Sequence, residues 1–254
     1  MSALYKLTVA EAKLFLREPM AVVFGVLFPA AILLGLGAVP TLREPSEQFG
    51  GVRFVELWAP SALVLGLGIV GLQHIPVAVA TYRERGILRR MSTTPIHPGK
   101  VLAAQLIVAL AAAVAAAALL IVSAWLVLDV PLPRHPFGFA IAFLLGFGAV
   151  LAIGMLIAAV APTSRVATGL STVVYMVTMF AGGVFLPRFL LPDFLMRMGD
   201  YTPPGAQSLL AGWSGDAVVG AGTAGSSQQL LQLGIMALFA VVAGGAAAKL
   251  FRWE

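Results

Sequence analysis

The chain has 254 residues, 60% of them hydrophobic and only 11% charged, with a mean hydropathy of +0.97 and no cysteine. A soluble domain carries about a quarter charged residues, so this composition excludes an ordinary water-soluble fold and points to an all-α integral membrane protein. The net charge of +5 comes with no nucleic-acid motif, which leaves membrane topology as its use, and the lack of cysteine excludes disulfides, thiolate metal sites and a cysteine nucleophile.

Residues 2–18 come first, as an amphipathic interface helix with Leu4, Leu7, Leu14 and Phe15 set among Lys6, Lys13 and Arg17. Such helices lie in the membrane interface with basic side chains toward lipid phosphates. A plain anchor in membrane lipids and a docking element for a partner are both open. Pro19 breaks the helix, because the residue before a proline is pushed out of the helical region. Apolar runs of the roughly 20 residues that cross a bilayer follow at 20–40, 57–80, 101–128, 137–161, 167–187 and 229–250. They predict six transmembrane helices in a single domain, 1–254, the first run being an uncleaved span and not a signal peptide.

The interior of these runs is nearly free of charge, which argues against a proton- or ion-coupled carrier. His74, in the stretch GLQHIP of the second run, is the best candidate for a group that meets substrate or a proton. A satisfied packing histidine is the other reading. Beyond that run lies YRERGILRRMSTTPIHPGK, Tyr82 to Lys100, with five of the sixteen basic residues. A short helix over 83–92 gathers Ile87, Leu88 and Met91 on one face and sends Arg85, Arg89 and Arg90 around the rest, an apolar ridge with a charged rim that suits docking. A topology signal resting on lipid headgroups would look similar. Thr94-Pro95 ends this helix.

In the third run the alanines from Ala111 to Ala118 form a small-residue face for close packing. In the fifth, Thr168, Ser171, Tyr175 and Thr178 fall within one sector about 80° wide. This hydroxyl stripe is the wall of a translocation path, a helix interface on a two-fold axis, or a set of side chains bonded back to their own helix. Between the fifth and sixth runs, RFLLPDFLMRMG and PPGAQSLLAGW are each too short to cross and predict re-entrant or capping outer helices within 188–228, with 214–228 as a flexible link.

Charge fixes the orientation of this arrangement. One side holds Lys6, Lys13, Arg17, Arg83, Arg85, Arg89, Arg90, Lys100, Arg165, Lys249 and Arg252 against Glu11, Glu18, Glu84 and Glu254, a net +7. The other holds Arg43, Arg53, Arg134, Arg188 and Arg197 against Glu44, Glu47, Glu56, Asp129, Asp193, Asp200 and Asp216, a net −2. The positive-inside rule places both termini in the cytoplasm of a multi-pass cell-membrane protein. Catalysis within the chain is not expected, since it contains no G-x-x-x-x-G-K-[ST], no H-E-x-x-H and no G-x-S-x-G. His74, His97 and His135 are scattered along the topology and suggest no metal site.

The pattern Glu84-x-Gly86-x-Leu88-Arg89-Arg90-Met91-x-x-Thr94-Pro95, then Pro98 and a long apolar helix, resembles the inner loop of the ABC-2 family of ABC transporter permeases. It is nearest the short drug-exporting type, of which daunorubicin-resistance permeases are the best-known members. Arg17-x-Pro19 before the first span, Pro29 inside it and the outer apolar pair before the last span are similar to the same family. The resemblance implies a half-pore that pairs with a second copy, as a homodimer, or with a close paralogue. It also implies a separate ATP-binding subunit on the cytoplasmic face that holds ATP and magnesium, with no cofactor in this chain. The amphipathic amino helix and a coupling helix would meet that subunit through Glu84, Arg85, Gly86, Leu88, Arg89 and Arg90. Multidrug efflux or antibiotic resistance by export of a lipophilic or amphiphilic compound is the implied activity. A secondary carrier or channel that needs no ATPase, and a non-transporting scaffold or immunity protein, remain alternatives.

Overall fold

The computed structural model describes residues 3–47, 51–92, 99–185, 192, 194, 197, 199, 201–203, 209, 211–213 and 226–251. They form helices and connecting turns, with no strand among the described residues and a single isolated bridge between Pro45 and Arg53. Eight helices organise them: α1 (Ala3–Leu16), α2 (Pro19–Gly37), α3 (Phe54–Glu84), α4 (Ile87–Ser92), α5 (Gly99–Leu128), α6 (Pro136–Val160), α7 (Ser164–Ala181) and α8 (Ser226–Leu250).

Among the described residues, five helices are long and apolar enough to cross a membrane: α2, α3, α5, α6 and the Gln229–Leu250 part of α8. The fifth apolar run of the sequence does form a helix, α7. Its 18 residues open on Ser164 and Arg165 and carry four hydroxyls of Ser and Thr beyond them, so it falls short of the other five in apolar character. Of the six spans expected, five are found among the described residues.

α3 is the most buried of the spans and forms the centre of the bundle. α2 and α5 pack on its first half, α6 and α7 on its second, and α8 runs along α6. The core contains Leu33 of α2, Leu63, Leu67 and Leu72 of α3, Leu120 of α5, Phe147 of α6 and Met179 of α7, all sealed from solvent. Small residues permit this closeness. A Cβ placed on Gly154 of α6 would overlap the carbonyl oxygen of Gly71 in α3, so the two backbones touch there.

Two of the spans are locally underwound into π-helical turns, Val23–Leu27 in α2 and Ile69–His74 in α3. Each ends two residues before a proline, Pro29 and Pro76. A proline supplies no N–H to the carbonyl four residues back and its ring crowds that carbonyl, and one extra residue in the turn relieves the crowding. Phe28 and Ile75 accordingly donate five residues back, to Val23 and Val70. The two π turns touch each other in the bundle, with Gly25 against the side chains of Val70 and Ile69.

Most of the expected outer segment, 188–228, lies outside the described residues. A described piece, 211–213, is docked on the start of α6: Arg134 and His135 donate backbone hydrogen bonds to the carbonyls of Trp213 and Gly212, and the buried Trp213 indole donates to Pro131 O at 2.9 Å. The same end of the bundle is held by Arg53, which pairs with Glu56. Its guanidinium also donates to the carbonyls of Leu128 and Asp129, at 2.9 and 2.7 Å, where α5 ends and Asp129 turns the chain at a φ of 51°.

Candidate functional site: a cavity beside a basic hinge

α3 ends in Arg83 and Glu84, and these two side chains hold the corner between α6 and α7. The last carbonyls of a helix have no partner inside it. Arg83 fills this need at α6, donating to Ala158 O at 3.1 Å and to Ala161 O. Glu84 accepts from the Ser164 backbone N–H at 2.9 Å, at the first turn of α7, where helix ends present unpaired donors. Thr163 caps the same helix by accepting from Val166 N–H at 3.2 Å.

The chain reverses immediately after this clamp. Gly86 adopts a φ of +64°, a conformation costly for residues with a Cβ, and α4 starts at Ile87. The short helix expected over 83–92 is therefore two pieces, the end of α3 and α4, with the turn Arg85-Gly86 between them. Within α4, Leu88 is 1% exposed, so the apolar ridge of Ile87, Leu88 and Met91 is turned toward the protein, where the sequence suggested an open docking face. Glu84, Arg85, Arg89 and Arg90 are what this hinge shows to the outside. Arg90 also donates to Arg85 O at 3.2 Å, which stiffens the turn. Thr94 and Pro95 lie outside the described residues.

On the other side of α3 a cavity of about 820 Å³ opens where α1, the two π turns, α5 and α7 converge. Its walls are mostly apolar, with Phe15, Phe24, Ile69 and Val108 among them, and its polar groups form two clusters. In the first, the Tyr82 hydroxyl donates to the Glu11 carboxylate, 3.0 and 3.1 Å from its two oxygens, and the Gln105 side chain adds a hydrogen bond to the carboxylate. Burial pushes the Glu11 carboxyl above its ordinary value, against the lowering effect of these hydrogen bonds. In the second, His74 Nδ1 lies 3.2 Å from Glu18 Oε2 and the Phe15 ring meets the imidazole edge-on at 5.3 Å.

Three residues proposed for a substrate path from sequence, His74, Thr168 and Tyr175, line this one cavity, and Arg85 reaches its rim. Ser171 and Thr178 share the buried face of α7 with Tyr175 but do not border the cavity. Back-bonding explains part of the hydroxyl stripe, since Thr168 donates to Ser164 O at 2.9 Å. It does not explain Ser171, whose buried hydroxyl has no partner among the described residues. Glu11, Glu18, Tyr82 and Gln105 were not singled out from the sequence. A carboxylate in the middle of an amphipathic helix and one amide in a long alanine-rich span were the available signals. The inward face of α1 also differs from the expected one: Phe15 is buried, Glu11 is half-buried, and Leu14 is 48% exposed.

A family model described as the ABC-2 type transporter matches residues 2–204, from α1 through the whole of α7. The chain belongs to the ABC-2 type transporter family. Among curated proteins, the one titled "Putative transport permease YvfS" from Bacillus subtilis (strain 168) is 26% identical over 222 residues, covering 84% of this chain and 88% of that protein. The hinge and the cavity both fall inside the matched region, and this ABC-2 permease thus joins them through one helix, α3, whose end anchors the hinge while its π turn lines the cavity. Among the described residues, no group of three His, Cys, Asp or Glu side chains could hold a metal ion.

Proposed function

We propose that this ABC-2 permease is the membrane subunit of an ATP-driven exporter. It would move a lipophilic or amphiphilic compound out of the cytoplasm or inner leaflet, with ATP and magnesium bound by a separate ABC subunit. The observation that carries the reading is the Arg83–Glu84 clamp. A push on the exposed Arg85, Arg89 and Arg90 surface is passed by this clamp to α6 and α7, and by the continuous helix α3 to the cavity. Glu84, Arg85, Gly86, Leu88, Arg89 and Arg90 then have different parts: the charged residues meet the ATPase subunit, Gly86 makes the turn, and Leu88 seats α4 on the permease. In this reading α7 completes a six-span arrangement, both termini face the cytoplasm, and a second permease copy closes the path.

Co-expression with an ABC ATP-binding subunit, sought first among the neighbouring genes, tests the proposal. The two should co-purify, and Arg85→Ala, Arg89→Ala and Arg90→Ala together should abolish substrate-stimulated ATP hydrolysis while the permease still inserts in the membrane. Unchanged coupled hydrolysis in the triple variant would remove the hinge from the coupling route. One observation favours a secondary carrier instead: the Glu18–His74 pair and Glu11 put ionisable groups on the cavity wall. Transport by the purified chain alone, in liposomes under a proton gradient and abolished by His74→Ala, would establish that reading.

A further inference from the structure

Gln105 has a feature the exporter reading does not use. It sits on α5, 6% exposed, on the wall of the cavity, and its carbonyl oxygen Oε1 has no hydrogen-bond partner among the described residues. A buried acceptor left open costs about 1–3 kcal/mol, so its place in a packed wall marks where a donor arrives. The groups around it are of the same kind. Glu11 presents carboxylate oxygens to the same space, and Glu18 lies on the wall beside His74. The opposing cation, Arg85, is an exposed residue at the rim and is therefore solvated. The remaining wall is apolar, and a volume of about 820 Å³ suits a drug-sized molecule.

We propose that this cavity binds an amphiphilic ammonium, whose N–H donates to Gln105 Oε1 beside the Glu11 carboxylate and whose apolar body lies along Phe15, Phe24 and Val108. A neutral alcohol could also donate to Gln105, but only an ammonium also brings a positive charge to the Glu11 and Glu18 carboxyl groups on the same wall. The ammonium has two sources with the same chemistry, the headgroup of an ethanolamine lipid or a free lipophilic amine. As a statement about cargo the inference rests on the exporter reading; as a statement about binding it does not.

The test uses the full chain in phosphatidylcholine nanodiscs, titrated with radiolabelled decylammonium and corrected with empty nanodiscs. Saturable binding is expected, with decanol and decyltrimethylammonium each at least about tenfold weaker, a factor that corresponds to about 1.4 kcal/mol. Gln105→Leu should weaken decylammonium at least about tenfold and leave decyltrimethylammonium within about twofold, because only the donor-dependent contact is lost. Should the Leu variant fail to fold, Gln105→Glu serves, and it should tighten decylammonium. Adding phosphatidylethanolamine to the nanodiscs separates the sources: competition assigns the site to the lipid headgroup, and indifference to a free amine. Equal binding of decanol and decylammonium, or unchanged binding in both Gln105 variants, overturns the proposal. Loss of binding selectivity with ATP-driven export intact would retire this site alone, whereas selective binding without any ATPase partner would retire the exporter reading and leave the site.

Discussion

Arg83→Ala is the most direct probe of the hinge. The side chain makes two charge-assisted hydrogen bonds to helix-terminal carbonyls, Ala158 O and Ala161 O, and it is half-buried. Such bonds contribute about 1.5–3 kcal/mol each when shielded, and partial exposure places the pair near the low end, about 2–3 kcal/mol in all. Truncation leaves those carbonyls to water and frees the corner between α6 and α7 to open locally. An opening made easier by that amount speeds hydrogen exchange of the corner amides about thirty- to hundredfold, at a tenfold change per 1.4 kcal/mol. Exchange mass spectrometry of peptides spanning 157–168 reads this directly, with peptides from the outer end of α5 as the internal standard. Arg83→Lys should recover roughly half of the protection, because a point-like ammonium cannot fork to two carbonyls. Unchanged exchange at 157–168 in Arg83→Ala would show that the clamp does not hold the corner, and the coupling route drawn through it would fall with it.

Other expectations follow from the same contacts. Gly154→Val should abolish stable folding, since its side chain would enter the Gly71 backbone, while Gly148→Ala, with nothing within 4 Å, should be neutral in detergent melting curves. The raised Glu11 carboxyl means that the fold favours its protonated form. Relative to Glu11→Gln, the wild type should hold its full stability below the ordinary value of 4.5 and lose ground as pH rises through the raised value; parallel melting curves that never diverge would contradict this. Asp129 occupies a left-handed conformation, so Asp129→Gly should preserve or raise the melting temperature, with a gain of up to about 1 kcal/mol, whereas Asp129→Val should lower it.

The spans were legible in the sequence because lipid leaves the chain little choice. A run of about 20 apolar residues must close its own hydrogen bonds as a helix, and the predicted runs at 101–128 and 137–161 differ from α5 and α6 by only a residue or two. Pro29 and Pro76 can be read in the sequence as residues that interrupt a helix's own hydrogen bonding, although no irregular turn was expected from them. That each would produce a π turn, and that the two would touch, depended on how α2 and α3 pack. α7 shows the limit of the apolar-run criterion, since Arg165 and the hydroxyls that gave it an identifiable face also dilute its hydropathy.

The sequence by itself determined the class of the protein, the positions of its spans, the basic hinge after the second of them, and the resemblance that the family match bears out. Those properties are local: they follow from composition over a window of residues and from the conformations proline and glycine permit. Tertiary structure decided which way the hinge faces and what it holds. Leu88 turns inward, Arg83 and Glu84 reach partners more than seventy residues away, and Glu11 meets Tyr82 across a similar separation. Whether a side chain on a helix meets solvent, lipid or another helix depends on the phase at which that helix docks, and docking is set by the summed packing of all its neighbours. For that reason the cavity, with its carboxylates and the open oxygen of Gln105, emerged only when α1, α3, α5 and α7 were brought together.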